Sequence, residues 1–113
     1  LDGKRSLWHR AWKALFPFEW QEVIAFDDAG EKHVADVKRP DGTVIELQNS
    51  PMSLGEMSSR EQFYGKKMVW IVNGEKLYPR HKPHPGSVPV SHWYREAMEE
   101  YSSRLTVVHT QSS

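Results

Sequence analysis

Two turns of the same chemistry, Asp28-Ala29-Gly30 and Pro40-Asp41-Gly42, constrain this chain most, because together they fix the register of three consecutive strands. In Arg39-Pro40-Asp41-Gly42-Thr43 the proline suits the second position of a type I turn and the glycine the left-handed position after it. Arg39 then faces Thr43 across a hairpin loop of about three residues. Counting back sets Lys38 opposite Val44, Val37 opposite Ile45, Asp36 opposite Glu46, Ala35 opposite Leu47 and Val34 opposite Gln48. The preceding turn carries glycine in the same place, which sets Asp27 opposite Glu31, Val23 opposite Ala35 and Glu22 opposite Asp36. Side chains alternate across a strand, so one face is apolar and Glu22, Asp36 and Glu46 form a row on the other. By that parity His33 falls on the apolar side, where a hydrogen-bonded structural histidine is expected.

The strands themselves read as Glu22 to Asp27, Glu31 to Arg39 and Thr43 to Gln48, an antiparallel meander. Before them, Leu7, Trp8, Ala11, Trp12 and Leu15 recur at helical spacing from Ser6, a suitable N-cap, to Phe16, where Pro17 ends the helix. After them, Ser53 caps a helix running to about Tyr64, with Glu56 in the capping-box position and Gly65 as its stop. Met68 to Val72 is a continuous apolar run suited to a strand buried on both faces, closed by Asn73-Gly74. Residues Tyr78 to Pro89, rich in Pro and basic side chains, read as a loop, followed by a helix from about Ser91 to Ser103 and a candidate edge strand from Leu105 to Thr110.

At 113 residues the chain fits one domain with one modest core, which five Trp, four Tyr and four Phe can fill. There is no Cys, so disulfide frameworks and thiolate zinc sites are excluded and a reducing, cytoplasmic setting fits. No apolar run is long enough to cross a membrane, and no signal peptide is visible. Leu1 is not an initiator Met, so a piece of a longer protein with further domains is expected. The formal charge of zero argues against a strongly basic coat but leaves room for a local basic cleft.

The acidic row needs compensation, since like charges directly opposite on neighbouring strands cost up to about 1 kcal/mol per pair. A divalent cation is the simplest, because Mg2+ binds through one or two carboxylates plus substrate phosphate oxygens and keeps several waters. The competing reading is a solvated hairpin face on which Lys32 and Lys38 neutralise the acids.

The string His33-Val34-Ala35-Asp36-Val37, then Ile45-Glu46-Leu47-Gln48-Asn49-Ser50, then Arg60 and Tyr64 ahead of Val69-Trp70-Ile71, resembles the core signature of CoiA-like competence proteins. The resemblance covers about Ser6 to Asn73, includes a His9/Lys13 pair on the first helix, and leaves residues 74–113 as a C-terminal extension. It implies an α/β fold of restriction-endonuclease-like, PD-(D/E)XK type, with a helix, three strands, a helix and a strand around a mixed sheet. It further implies DNA as partner and hydrolysis of its phosphodiesters during uptake or recombination. Asp36 and Glu46, with the Leu47 carbonyl, would then hold Mg2+ or Mn2+. Gln48 stands where that superfamily most often carries Lys, although CoiA-like sequences share the Gln; it would orient the attacking water.

Glu22 would complete the metal shell or accept a proton through water. Lys13 could supply the charge absent at position 48, or be an ordinary solvated lysine. Arg60 and Tyr64 share a helix face and could reach a phosphate; an Arg60–Glu56 pair beside a core tyrosine would look the same. Arg80 and Lys82, with His81, His84 and His92 and the nearby Trp93 and Tyr94, make a basic, aromatic stretch suited to nucleic acid, without a recognisable zinc spacing. Two rivals remain: a catalytically inactive DNA-binding module of the same fold, and a carbohydrate- or protein-binding domain built on the tryptophans.

Overall fold

A computed structural model describes residues 6–77 and 90–109, in the second stretch with side chains from 96 onward. The expected order of elements is observed. Helix α1 (Leu7–Lys13) begins where Ser6 Oγ accepts the His9 N–H at 3.1 Å. It stops short of the expected Phe16, because the Leu15 and Phe16 amides turn to the Trp12 and Lys13 carbonyls three residues back, tightening the end. A 3-10 turn (Phe18–Trp20) then leads from Pro17 into the sheet.

Strands β1 (Gln21–Phe26), β2 (Lys32–Lys38) and β3 (Val44–Gln48) form the meander. Both turns close as their sequences demand: Gly30 and Gly42 have φ of 84° and 91°, and the Asp27 and Arg39 amides donate to the Glu31 and Thr43 carbonyls. The pairings Val23–Ala35 and Val37–Ile45 match the counted register. Helix α2 (Leu54–Tyr64) is capped by Ser53, whose Oγ accepts the Glu56 N–H, and ends at Gly65 with φ 73°. It returns the chain to β4 (Met68–Asn73), parallel to β3. A short helix, α3 (Gly74–Leu77), occupies what the sequence reads only as a stop. Helix α4 (Val90–Tyr101) leads to β5 (Leu105–Val108), the expected edge strand, parallel to β4. The five-stranded mixed sheet has the order β1-β2-β3-β4-β5. Among the described residues no helix is long and apolar enough to cross a membrane.

Strand β3 alternates between two cores. Val44 joins Met57 of α2, Met98 of α4, Met68, Trp70 and Val72 on one face, whereas Ile45 and Leu47 join Val37 beneath Trp8 and Trp12 of α1 on the other. Trp70 is fully buried, and its Nε1 donates to Glu61 Oε2 at 2.7 Å, so its ring is held by packing and by a bond. Trp70→Ala is expected to lower stability by roughly 3–5 kcal/mol, seen as a fall in the urea midpoint; a change within experimental error would contradict this account of the core.

One strand departs from simple alternation. Parity sets Ala35 and His33 on the Val37 face, yet Ala35 packs with the α2-side core and His33 stacks on Phe63 of α2 at 3.8 Å. Ala35, Asp36 and Val37 are buried in succession. Opposite them Glu22 adopts φ 52°, a left-handed conformation that a non-glycine residue rarely takes. The β1–β2 ribbon thus turns over at Glu22 and Asp36, carrying its outer half toward α2.

Candidate active site

Asp36 and Glu46 meet where that turnover opens the sheet. Pairing between β2 and β3 is retained at Val37–Ile45 and Lys38–Val44 and goes no further. Beyond it the side chains replace the ladder: the Asp36 amide donates to Glu46 Oε2 at 3.0 Å, and the Leu47 amide donates to Asp36 Oδ2 at 2.8 Å. The expected facing of Ala35 with Leu47 and of Val34 with Gln48 is therefore not formed, because the two carboxylates occupy the space between the strands. Each is locked by a backbone N–H of the other strand, and each is almost wholly buried.

The helices bring basic side chains to this pair from opposite faces. From α1, His9 Nε2 lies 3.1 Å from Asp36 Oδ1. From α2, Arg60 Nη1 lies 3.3 Å from Glu46 Oε1, and its Nε donates to Glu56 Oε1 at 3.0 Å. Arg60 thus pairs with Glu56, as one reading of the sequence has it, and also reaches Glu46. One turn beyond His9, Lys13 is buried and its Nζ lies 2.7 Å from Glu22 Oε1.

The expected row of three acids is corrected by this pairing. Glu22 stands opposite Asp36 in the register, but its carboxylate turns to Lys13 rather than joining Asp36 and Glu46. Lys13 is not a solvated helix lysine; it neutralises Glu22. Gln48 is buried, and its Nε2 donates to the Ser50 carbonyl. Leu47 places its amide on Asp36 and its side chain in the α1-side core. His33 contacts Asp27 Oδ2 at 3.3 Å and has the structural surroundings expected of it, though on the opposite face. Arg80 and Lys82, with His81 and His84, lie outside the described residues, as do the side chains of His92, Trp93 and Tyr94.

Two clefts meet at these groups. One of about 640 Å³ is lined by His9, Asp36, Gln48, Ser50, Glu56 and Arg60 among others. The second, of about 310 Å³, shares Asp36, Glu56 and Arg60 and reaches Lys32, His33 and Tyr64. Asn73 Nδ2 donates to Asn49 Oδ1 at 2.7 Å, tying the end of β4 to the loop that floors the larger cleft.

Burial first, and the neighbouring Asp36 carboxylate second, push the Glu46 carboxyl up from 4.5 to about 8, against the opposing pull of the Asp36 amide and Arg60. Tyr64 is pushed up to about 12, chiefly by burial and then by the Glu46 charge. Glu46 therefore holds a proton in the fold that the unfolded chain has released, and stability falls as pH rises from 4.5 to about 8. Glu46→Gln keeps an acceptor for the Asp36 amide and removes this penalty. At pH 8.5 in chelator, calorimetric unfolding of Glu46→Gln is expected to occur at least ~5 °C above wild type, roughly 1 kcal/mol. The gain should vanish near pH 4; a difference independent of pH would exclude a strained Glu46.

No family model, curated protein or solved structure matches the chain.

Proposed function

We propose that this chain is a metal-dependent nuclease domain that hydrolyses phosphodiester bonds in DNA, of the PD-(D/E)XK type and related to the nuclease part of CoiA-like competence proteins. One observation carries the reading: two buried acids on adjacent strands, Asp36 and Glu46, are held against each other and both line the smaller of the two polar clefts. Juxtaposed buried carboxylates are costly without positive charge nearby, and a bound cation would add to what Arg60 supplies at Glu46. The donor set therefore fits a hard divalent ion, Mg2+ or Mn2+, held by Asp36 and Glu46 with the Leu47 carbonyl. Such an ion, when bound, polarises a phosphate oxygen and lowers the pKa of a water.

The chain's own residues do the remaining work. Arg60 projects between the two clefts, where it can meet a phosphate of the bound strand. The Gln48 amide nitrogen is engaged by Ser50, which leaves its amide oxygen to orient the attacking water. Lys13 and Glu22 fix α1 against β1 and so hold His9 beside Asp36. A cytoplasmic setting and a role in processing incoming DNA accompany the reading.

The second reading, a DNA-binding module without catalysis, draws support from Gln48 itself: no lysine stands there, and half of its amide is spent on Ser50. Labelled DNA incubated with Mn2+ separates the two. Cleavage abolished by chelator and by Asp36→Asn supports the nuclease; retardation in gels without cleavage on single-stranded, duplex and branched substrates supports the module.

A further inference from the structure

The lining of the two clefts bears on the form of nucleic acid that they admit. Asp36, Glu56 and Arg60 line both, so the clefts join beside the acidic pair. Among the described residues the larger cleft carries one arginine, Arg60, and no lysine; uncharged polar groups such as Asn49, Ser50 and Ser53 are more numerous, beside the apolar surfaces of Pro51 and Met52. Such a wall does not suit the outside of a duplex. That outside is an array of phosphates, about one charge per 1.7 Å of axis, which proteins meet with Lys and Arg. Amides and hydroxyls instead match the edges of bases, and those edges are open to them in an unpaired strand. Asn49 is already set for this role. Asn73 Nδ2 donates to Asn49 Oδ1 at 2.7 Å, and the buried Asn73 is oriented in turn by the Glu75 amide on its Oδ1, so the Asn49 amide is fixed with its nitrogen left as a donor. The acids are almost wholly buried, so a phosphate meets them only by entering a cleft with its neighbouring nucleotides. An unpaired strand can bend inward to do this, whereas base pairing holds the phosphates of a duplex on its outside.

We propose that the substrate is a single strand, with the nucleotides on either side of the scissile phosphate lodged one in each cleft, the phosphate at Arg60 between them and the base in the larger cleft held by Asn49. The inference rests on the nuclease reading for the cleavage step and goes beyond it in the form of the substrate. Volumes of about 640 and 310 Å³ lie in the range of clefts that enclose a small ligand. The smaller cleft offers its base Ser59, Tyr64 and His33, whose ring is backed by Phe63. A duplex would first have to open about two base-pair steps, each costing roughly tenfold, so it should be disfavoured by roughly 100-fold.

The test uses the whole chain and one labelled oligonucleotide, alone or annealed to its complement. Fluorescence anisotropy in chelator reads binding, and single-turnover cleavage with Mn2+ reads the reaction. The single strand is expected to be bound more tightly and cleaved faster than the duplex, by roughly 100-fold in each case. Asn49→Asp keeps the oxygen that accepts from Asn73 and loses the nitrogen donor, and should weaken single-strand binding by about three- to tenfold. The comparison of the two forms in wild type stands even where this variant fails to fold. Equal binding and cleavage of both forms would overturn the proposal while leaving the nuclease reading intact, and single-strand binding unchanged in a folded Asn49→Asp would remove Asn49 from it. Preferential binding of the single strand without cleavage of either form would overturn the nuclease reading and leave the clefts as a single-strand site. Absence of binding to either form would overturn both.

Discussion

Replacing Asp36 by Asn, or Glu46 by Gln, is expected to abolish Mn2+ binding in calorimetry and to remove DNA cleavage. Each substitution deletes one of two charged oxygen ligands from a small site, and neither neighbour can substitute: Glu22 is turned to Lys13, and Glu56 is held by Arg60. Loss of the several kcal/mol that a bound cation contributes to a phosphoryl transition state corresponds to on the order of 10³-fold in rate or more. The two variants should differ in stability. Glu46→Gln removes the buried carboxyl and should leave the metal-free protein more robust at alkaline pH, whereas Asp36→Asn removes only the neighbouring charge, the second of the two causes, and should gain less. A variant that is inactive yet more stable is what a site tuned for function at the expense of the fold produces. If both variants retain wild-type Mn2+ affinity, the metal site is not where the two strands place it.

The turns made that site legible in the sequence. A left-handed glycine after a type I turn admits one closure, so Gly30 and Gly42 set Val23 against Ala35 and Val37 against Ile45. The placement of Asp36 beside Glu46 followed from the same count. What alternation could not supply was its own interruption. Nothing in the composition of β1 marks Glu22 for φ 52°, because the left-handed conformation there answers to a tertiary pull, its carboxylate being drawn to Lys13. The turnover then carried Ala35 and His33 to the opposite core. Lys13 and His9 were hard to place for a related reason: on a seven-residue helix, polar residues among tryptophans read as the solvated face. Their burial depends on where the sheet opens. A signal did exist in their spacing, since residues four apart share a helix face and both stand on the side of α1 that meets the acids.

Gln48→Ala is expected to lower the cleavage rate far more than DNA affinity. The proposed partner of Gln48 is the attacking water, which contributes little to ground-state binding and much to the transition state. Loss of one such bond corresponds to roughly ten- to a thousandfold in rate. The buried position of Gln48 requires a control, because Ala also releases the Ser50 carbonyl and loosens the floor of the cleft. Ser50→Ala retains that carbonyl and removes only the hydroxyl, so it should leave the rate within a few-fold of wild type. Gln48→Lys supplies a cation beside the scissile phosphate and a donor for the Ser50 carbonyl, and should keep or raise the rate. Single-turnover cleavage of labelled DNA at saturating protein reads chemistry apart from binding, with Asp36→Asn as the blank. Equal rates in wild type and Gln48→Ala would take Gln48 out of the reaction. A rate lost together with DNA affinity would make it a wall of the cleft, and the water would then need another partner among the lining groups, which include His9 and Arg60.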